Sequence, residues 1–146
     1  MKVNLFVSRD IKEPYVDIHT NELTENVTKA MSILENDDTT DMLAVKRGSD
    51  IALLERGDIF MLRVEDKQVK VYTINEEYVI KKPLYQVEES LNTDFVRISK
   101  TTIVNLKKIE RVAPSLRGMM FIQLKNGLKD NISRKYLPEF KQALDL

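Results

Sequence analysis

The 146-residue sequence has no cysteine, one histidine (His19) and four glycines, none adjacent to another. Without cysteine, disulfides, thiolate nucleophiles and cysteine-rich zinc sites are excluded. A single histidine cannot complete an ordinary zinc site. The isolated glycines form no phosphate-binding loop, and no serine stands in a nucleophile elbow. We therefore expect no metal site, no cofactor and no catalytic residue, and the sequence does not predict an enzyme.

Long hydrophobic runs are also missing, so the sequence predicts neither a signal peptide nor a transmembrane helix. A cytoplasmic protein is expected. The length of 146 residues and the hydrophobic content of 42% suffice for one compact core but not for two full-sized domains. We expect one main domain with an appendage.

The formal net charge of zero hides an uneven distribution along the chain. Residues 1–40 carry 4 basic and 8 acidic side chains, residues 41–91 carry 8 and 10, and residues 92–146 carry 11 and 5. The last segment therefore has a net charge of +6. A cationic segment binds polyanions by releasing their counterions, so the asymmetry favours nucleic acid as a ligand. A solvated basic face is the alternative explanation.

Residues 1–40 predict a small leader of two strands and one helix. Apolar residues alternate from Lys2 to Val7, and a second strand-like run covers Tyr15–Ile18. Helical spacing then begins, with Asn21 as a candidate N-cap. The polar, acidic run 36–40 is interpreted as a linker.

Residues 41–146 predict a mainly β domain. Short β-rich runs are separated by turn residues, as an antiparallel sheet protein requires. The predicted strands cover 42–46, 51–54, 59–64, 69–74, 78–80, 95–98, 102–105, 109–113, 119–124 and 128–132. Short helices are predicted at 83–91, with Pro83 in the first turn, and at 136–144, where Pro138 is tolerated only in the first turn.

Two blocks near the carboxyl end resemble the signature of LytTR DNA-binding domains. The first runs from Phe95 to Ile109 and contains Ser99-Lys100-Thr101-Thr102 followed by Val104-Asn105. The second contains Asn126-Gly127 and then Ser133-Arg134-Lys135-Tyr136. Upstream, residues 57–60 and 84–87 follow the course of the same family, so the resemblance covers about residues 40–146.

The resemblance implies stacked antiparallel sheets with short helices, and loops that enter successive major grooves of promoter DNA. It also implies transcriptional regulation. We expect a homodimer at least on DNA, because one small module buries limited DNA surface and a second copy multiplies its affinity. The leader is far too short for the phosphate-accepting receiver domain of many family members. The combination resembles a stand-alone subgroup of the family, for which a small membrane protein is the implied regulator, and the leader is a candidate regulatory or dimerisation element.

Three turns are the candidate DNA-reading segments. The resemblance implies base contacts from Lys100, and Arg134 offers a planar fork for the two acceptors of guanine. Gln68 is the candidate base contact in the hairpin 65–68, where the two acidic residues would repel phosphates. Contacts to the DNA backbone are expected from Ser99, Thr101, Lys67, Lys107, Lys108 and Lys135. Asn105 is expected to act structurally, by bonding its own backbone.

Two alternatives stay open at this stage. Ser99 and Thr101 can simply close a turn, and Arg134 can be an ordinary surface residue. The whole chain can also be a protein-interaction module, in which the acidic leader binds a partner protein. A further hypothesis is that the leader covers the basic face, in which case deletion of residues 1–36 would tighten DNA binding.

Overall fold

The structure, a computed structural model, describes residues 1–35 and 42–146. The chain divides into two units, residues 1–40, called the leader, and residues 41–146, called the β domain. The linker predicted at 36–40 lies outside the described residues. Each helix in the described ranges is too short or too polar to span a bilayer.

The leader contains one helix, α1, at Glu25–Glu35. This confirms the predicted helix, but it begins later than expected, because the hydroxyl of Thr24 and not Asn21 accepts a hydrogen bond from the Val27 amide at 3.3 Å. The two predicted strands are not formed: residues 1–24, all of them described, contain no strand. A strand requires a neighbour for its backbone hydrogen bonds, and no described segment pairs with residues 2–7 or 15–18.

The β domain contains ten strands and two α-helices among its described residues. The strands are β1 Met42–Arg47, β2 Asp50–Glu55, β3 Met61–Glu65, β4 Gln68–Tyr72, β5 Glu77–Ile80, β6 Phe95–Arg97, β7 Thr102–Asn105, β8 Ile109–Pro114, β9 Met120–Leu124 and β10 Lys129–Ile132. The helices are α2 Leu84–Glu89 and α3 Leu137–Ala143. Each element coincides with a predicted one to within a few residues.

The strands form two antiparallel sheets, as predicted. The larger sheet has seven strands in the order β2-β1-β5-β4-β3-β7-β6, and the smaller sheet has three in the order β10-β9-β8. The hairpin between β3 and β4 turns at Asp66 and Lys67, whose φ angles of 51° and 63° lie in the left-handed region. Two successive positive φ angles characterise the tight turns that match the twist of antiparallel strands.

The seven-stranded sheet is buried on both faces, because its strands carry apolar residues on both sides. One face packs against α2 through the cluster Val45, Ile59, Leu62, Val69, Val71, Ile80, Leu84, Val87 and Ile103. The other face packs against the three-stranded sheet and α3 through Phe60, Met61, Val96, Ile98, Val104, Ile122, Leu124, Ile132 and Phe140. The two sheets are therefore stacked layers, which are typically about 10 Å apart.

Two fully buried residues fix the segment between β10 and α3. Ile132, at the end of β10, and Phe140, in α3, are both 0% exposed. Pro138 lies in the first turn of α3, as predicted. Proline is tolerated there because a backbone N–H in the first turn would have no intrahelical acceptor. The short segment 133–136 between these anchors is thereby held at one end of the three-stranded sheet.

Candidate nucleic-acid interface

The three candidate DNA-reading turns lie at the same end of the β domain. The amide of Val64, next to the β3–β4 hairpin, donates to the carbonyl of Thr101 at 2.8 Å. The amide of Ser133 donates to the carbonyl of Ile98 at 2.9 Å. These two bonds join the hairpin Glu65–Gln68, the loop Ser99–Thr101 and the segment Ser133–Lys135, which together are called the loop surface.

The loop Ser99–Thr101 is closed by its own hydroxyls. The hydroxyl of Ser99 accepts from the Thr101 amide at 3.2 Å and lies 3.3 Å from the Thr101 hydroxyl. The turn-closing role that the sequence left open is therefore present for both residues. Lys100, at the tip of the loop, is exposed. The loop thus presents a cation on a backbone whose conformation is fixed from within.

Arg97, at the end of β6, holds the same loop from behind. Its Nε donates to the carbonyl of Ser99 at 3.0 Å, and its Nη2 donates to the carbonyl of Lys100 at 2.8 Å. Its Nη1 forms an ion pair with Glu88 of α2 at 2.5 Å. The planar guanidinium suits this arrangement, because its donors point in fixed, diverging directions. Sequence reasoning missed this role, although an arginine between the buried residues Val96 and Ile98 was a signal for it.

Arg134 lies beside the turn between β8 and β9. A Cβ placed on Gly118 would lie 3.3 Å from Cδ of Arg134, so the missing side chain makes room for the arginine stem. The same turn presents Arg117, which is exposed and has a left-handed φ of 58°. Ser115 ties the turn to β10 by donating to Asn131 at 3.2 Å. Arg117 therefore joins the loop surface as a cation that the sequence analysis had left out.

The hairpin Glu65–Gln68 is less repulsive to phosphates than its two acidic residues predict. The Glu65 carboxylate accepts from Arg63 at 3.1 Å and from the hydroxyl of Tyr72. Burial alone would raise the pKa of Glu65, but the Tyr72 hydrogen bond and the Arg63 charge outweigh it and lower that pKa below its ordinary value. Asp66, Lys67 and Gln68 stay exposed. Only one unpaired carboxylate is therefore presented by this turn.

A polar cluster behind the hairpin connects the two sheets. Arg63 lies over the Tyr72 ring at 5.4 Å and approaches Asp130 of β10 at 3.5 Å. Asp130 also accepts from the hydroxyl of Thr102 at 3.2 Å. Burial and the hydrogen bond to Glu65 raise the pKa of Tyr72, so its hydroxyl stays a donor at neutral pH. These contacts fix the hairpin relative to the β10 end that carries Arg134.

Lys107 and Lys108 lie at the end of β7 that is remote from the loop Ser99–Thr101. The four residues of the strand separate the two ends by about 13 Å. Lys107 pairs with Asp94 at 3.4 Å, and Lys108 lies 5.1 Å from the Phe60 ring centroid. The structure therefore does not bring these two predicted contacts together with Lys100. Lys135 does lie on the loop surface and is exposed, with its ammonium 5.6 Å from the Tyr136 ring.

Asn105 acts structurally, as predicted, although its side chain bonds the backbones of Ile59 and Lys107 and not its own. Its side chain is 2% exposed. The amide nitrogen donates to the carbonyl of Ile59 at 2.9 Å, and the amide oxygen accepts from the Lys107 backbone at 3.0 Å. Asn105 thereby joins the end of β7 to the segment before β3.

Comparison with known proteins agrees with this architecture. The family of LytTr DNA-binding domains matches residues 49–145, two-thirds of the chain. The chain belongs to this family. The membership confirms the predicted DNA-binding class and the prediction that the protein is not an enzyme.

Similar proteins extend the match to the leader. An uncharacterized HTH-type transcriptional regulator of Staphylococcus aureus strain NCTC 8325 / PS 47 is 31% identical over 146 residues, covering 100% of this chain and 99% of its own. A counterpart in strain N315 is 30% identical over 146 residues, again covering 100% of this chain and 99% of its own. The LytTr DNA-binding domain of a protein described as a Bacillus cereus methyl-accepting/DNA response regulator superposes with a TM-score of 0.68. That match has 21% identity, covers 72% of this chain and 97% of the other, and supports the fold alone.

The relatives' label of HTH type does not describe the arrangement found here. In residues 1–35 and 42–146, strands separate every helix from the next one along the chain. A helix-turn-helix needs two successive helices joined by a short turn. Among its described residues, this LytTR protein therefore has no helix-turn-helix motif.

Proposed function

We propose that this LytTR protein is a sequence-specific transcriptional regulator whose loop surface enters successive major grooves of promoter DNA. The observation that carries the proposal is the pair of backbone hydrogen bonds, Val64 to Thr101 and Ser133 to Ile98, that brings three separate turns to one end of the domain. Exposed cations on a preformed surface bind a polyanion without first having to be ordered.

The roles follow from the chemistry of each side chain. Lys100, Arg134 and Gln68 are the proposed base contacts, because lysine and arginine match the acceptors of guanine, and an amide matches adenine. Contacts to phosphates come from Ser99, Thr101, Lys67, Lys135 and the newly found Arg117. Lys107 and Lys108 would touch only flanking DNA, since they lie at the far end of β7.

The loop surface draws on both sheets. Lys100 is carried by the seven-stranded sheet, whereas Arg134 follows the three-stranded sheet. Their anchors therefore belong to two stacked layers of the fold, which are typically about 10 Å apart. The proposal includes binding as a homodimer, because two copies on paired half-sites multiply the affinity of a small module. A protein acting on a bacterial promoter works in the cytoplasm.

The test compares Arg134→Ala with Lys141→Ala, a variant that removes the same charge from the exposed side of α3. Binding is measured by fluorescence anisotropy at several salt concentrations, on DNA selected from a random pool. Arg134→Ala should lose about 1–3 kcal/mol of discrimination at one base position, whereas Lys141→Ala should keep the selected sequence. Salt-independent binding, or equal preference in both variants, would refute the proposal.

A second candidate function is protein interaction through the leader. Its support is the number of exposed apolar residues in the leader, including Leu5, Phe6 and Tyr15. Large exposed apolar surfaces of soluble proteins are generally binding sites. A small membrane protein that regulates the DNA-binding activity is one proposed ligand of this surface.

A further inference from the structure

The leader exposes more apolar surface than its size explains. Of the nineteen exposed large hydrophobic residues among the described ones, twelve lie in residues 1–35. At about 60–120 Å² per side chain, the twelve expose on the order of 700–1,400 Å² of apolar surface. Each partner of a stable protein interface buries about 800 Å². The leader therefore carries about as much apolar surface as one side of an interface.

The leader also buries few of its own side chains. Its one helix, α1, has eleven residues and a single buried side chain, Val27. Isolated helices of this length are marginal in water. The segment Lys2–Val7 has the alternation of a strand, yet no described segment pairs with it, and Val3, Leu5 and Val7 are 82%, 86% and 89% exposed. An extended segment with unpaired backbone groups is a template for pairing with another chain.

The pattern of this segment is complementary to itself. When two copies run antiparallel about a two-fold axis through Leu5, Val3 of one copy lies opposite Val7 of the other, and Leu5 lies opposite Leu5. All three pairs fall on the same face, because successive side chains alternate. From Lys2 to Ser8 the only charged side chain is Lys2, which lies opposite Ser8. No like charges are opposed in the ladder.

We propose that the leaders of two copies dimerise the protein by pairing Lys2–Ser8 as an antiparallel ribbon centred on Leu5. This inference rests on the proposed homodimeric function and names the element responsible. A second copy satisfies both requirements of the leader at once: it supplies backbone partners for the strand and apolar surface to cover Val3, Leu5 and Val7. The leader also falls within the full-length match to the Staphylococcus aureus relatives.

The natural absence of cysteine makes the register directly testable. In the full-length protein, Leu5→Cys places two thiols opposite each other across the axis, at a Cα separation of about 4.5–5.5 Å, which a disulfide can bridge. The control Asn4→Cys places its two thiols one residue off the axis, so their Cα atoms are about 8 Å apart and cannot be bridged without distortion. Under mild oxidation at micromolar concentration, Leu5→Cys should form a covalent dimer at least about tenfold faster than Asn4→Cys.

Native mass, measured by light scattering, gives the second readout. The unmodified chain should be a dimer, and Leu5→Lys should weaken dimerisation about 100-fold, since it charges both sides of the central pair. Ile51→Lys, at a 69% exposed site in β2, should leave the dimer unchanged.

Equal cross-linking of the two cysteine variants, or a monomeric mass for the unmodified protein, would overturn the proposal. A dimer that survives Leu5→Lys would do the same and assign the interface to another surface. If the unmodified protein is a monomer but still prefers the selected DNA sequence, and Arg134→Ala abolishes that preference, this dimer is refuted and the DNA-binding function stands. Loss of sequence preference in a protein that still cross-links at Leu5→Cys would refute the function and leave the dimer.

Discussion

Replacement of Arg97 tests whether the proposed DNA-reading loop, Ser99–Thr101, has to be held in place from behind. Arg97→Lys keeps the positive charge but replaces a planar fork with a single ammonium. One ammonium cannot reach the carbonyls of Ser99 and Lys100 and the carboxylate of Glu88 in the directions that the guanidinium uses. The variant therefore removes the support of the loop without changing the charge of the protein.

The expected loss can be worked out from the contacts. A hydrogen bond to a charged group contributes about 1.5–3 kcal/mol. The two loop carbonyls lie at the surface, where water replaces the guanidinium in part, and the Arg97 side chain is 18% exposed. We therefore expect a net cost of about 1–2 kcal/mol for keeping the loop in its bound conformation. Since 1.4 kcal/mol corresponds to a factor of ten, DNA affinity should fall about 5- to 30-fold.

The assay is fluorescence anisotropy with the selected DNA over a range of salt concentrations. Because the donors of Arg97 are occupied by the protein, the slope of log affinity against log salt should not change in Arg97→Lys. Glu88→Gln serves as the control, since it keeps the carbonyl contacts and removes only a partly exposed ion pair, which is worth less than about 1 kcal/mol. Wild-type affinity in Arg97→Lys would refute the reasoning. A salt slope reduced by about one in Arg97→Ala would instead make Arg97 a phosphate ligand.

Three further predictions concern stability and the shape of the site. Gly118→Ala should destabilise the fold by about 1 kcal/mol and weaken specific DNA binding, because φ is 75° there and the new methyl group meets the side chain of Arg134. Gly57→Ala, with open space around the new methyl group, should do neither. Denaturant unfolding measures the stability of both variants, and fluorescence anisotropy measures their DNA binding. Asn105→Ala should cost about 2–3 kcal/mol in denaturant unfolding, since it leaves buried backbone groups without partners. The pKa of Glu65 is lowered in the folded protein, so its contribution to stability is complete above the ordinary pKa of 4.5 and is lost as the pH falls through the lower folded value. In Glu65→Gln, the free energy of unfolding should therefore depend less on pH in that acid range.

The β domain was predictable because its strands are short and apolar and end at strong turn signals. β7, Thr102–Asn105, was predicted at its exact bounds, since it lies between a hydroxyl-rich loop and a buried asparagine. The leader was not predictable in the same way. Its residues 2–7 carry a strand pattern, but a strand depends on a neighbour whose presence no local pattern records. Alternation therefore identified a segment able to pair, without showing what it pairs with.

The candidate site was predictable as a set of turns but not as a surface. Sequence blocks indicated Lys100 and Arg134, and the structure brings their turns together through one backbone hydrogen bond, Ser133 to Ile98. The same blocks indicated Lys107, which lies at the opposite end of its strand. Closeness in sequence says little about closeness in an antiparallel sheet, where a four-residue strand moves its two ends about 13 Å apart. Arg117 was overlooked for the opposite reason. It is remote in sequence from Lys100 and Arg134, yet its neighbour Gly118, in the turn between β8 and β9, lies against Arg134.

The proposed recognition through turns separates the chemistry that would read DNA from the packing that maintains the fold. Lys100 and Arg134 are exposed, whereas the residues that position them, Arg97 and Ile132, are buried or nearly so. On a recognition helix, every contact shares one rigid spacing, and a change in one shifts its neighbours. Here the backbones of the turns are held by hydrogen bonds and buried residues behind them, so a new side chain at one exposed tip would change one contact and leave the others in register. On this proposal, a single β framework serves many promoters, provided that the buried supports of its turns are kept.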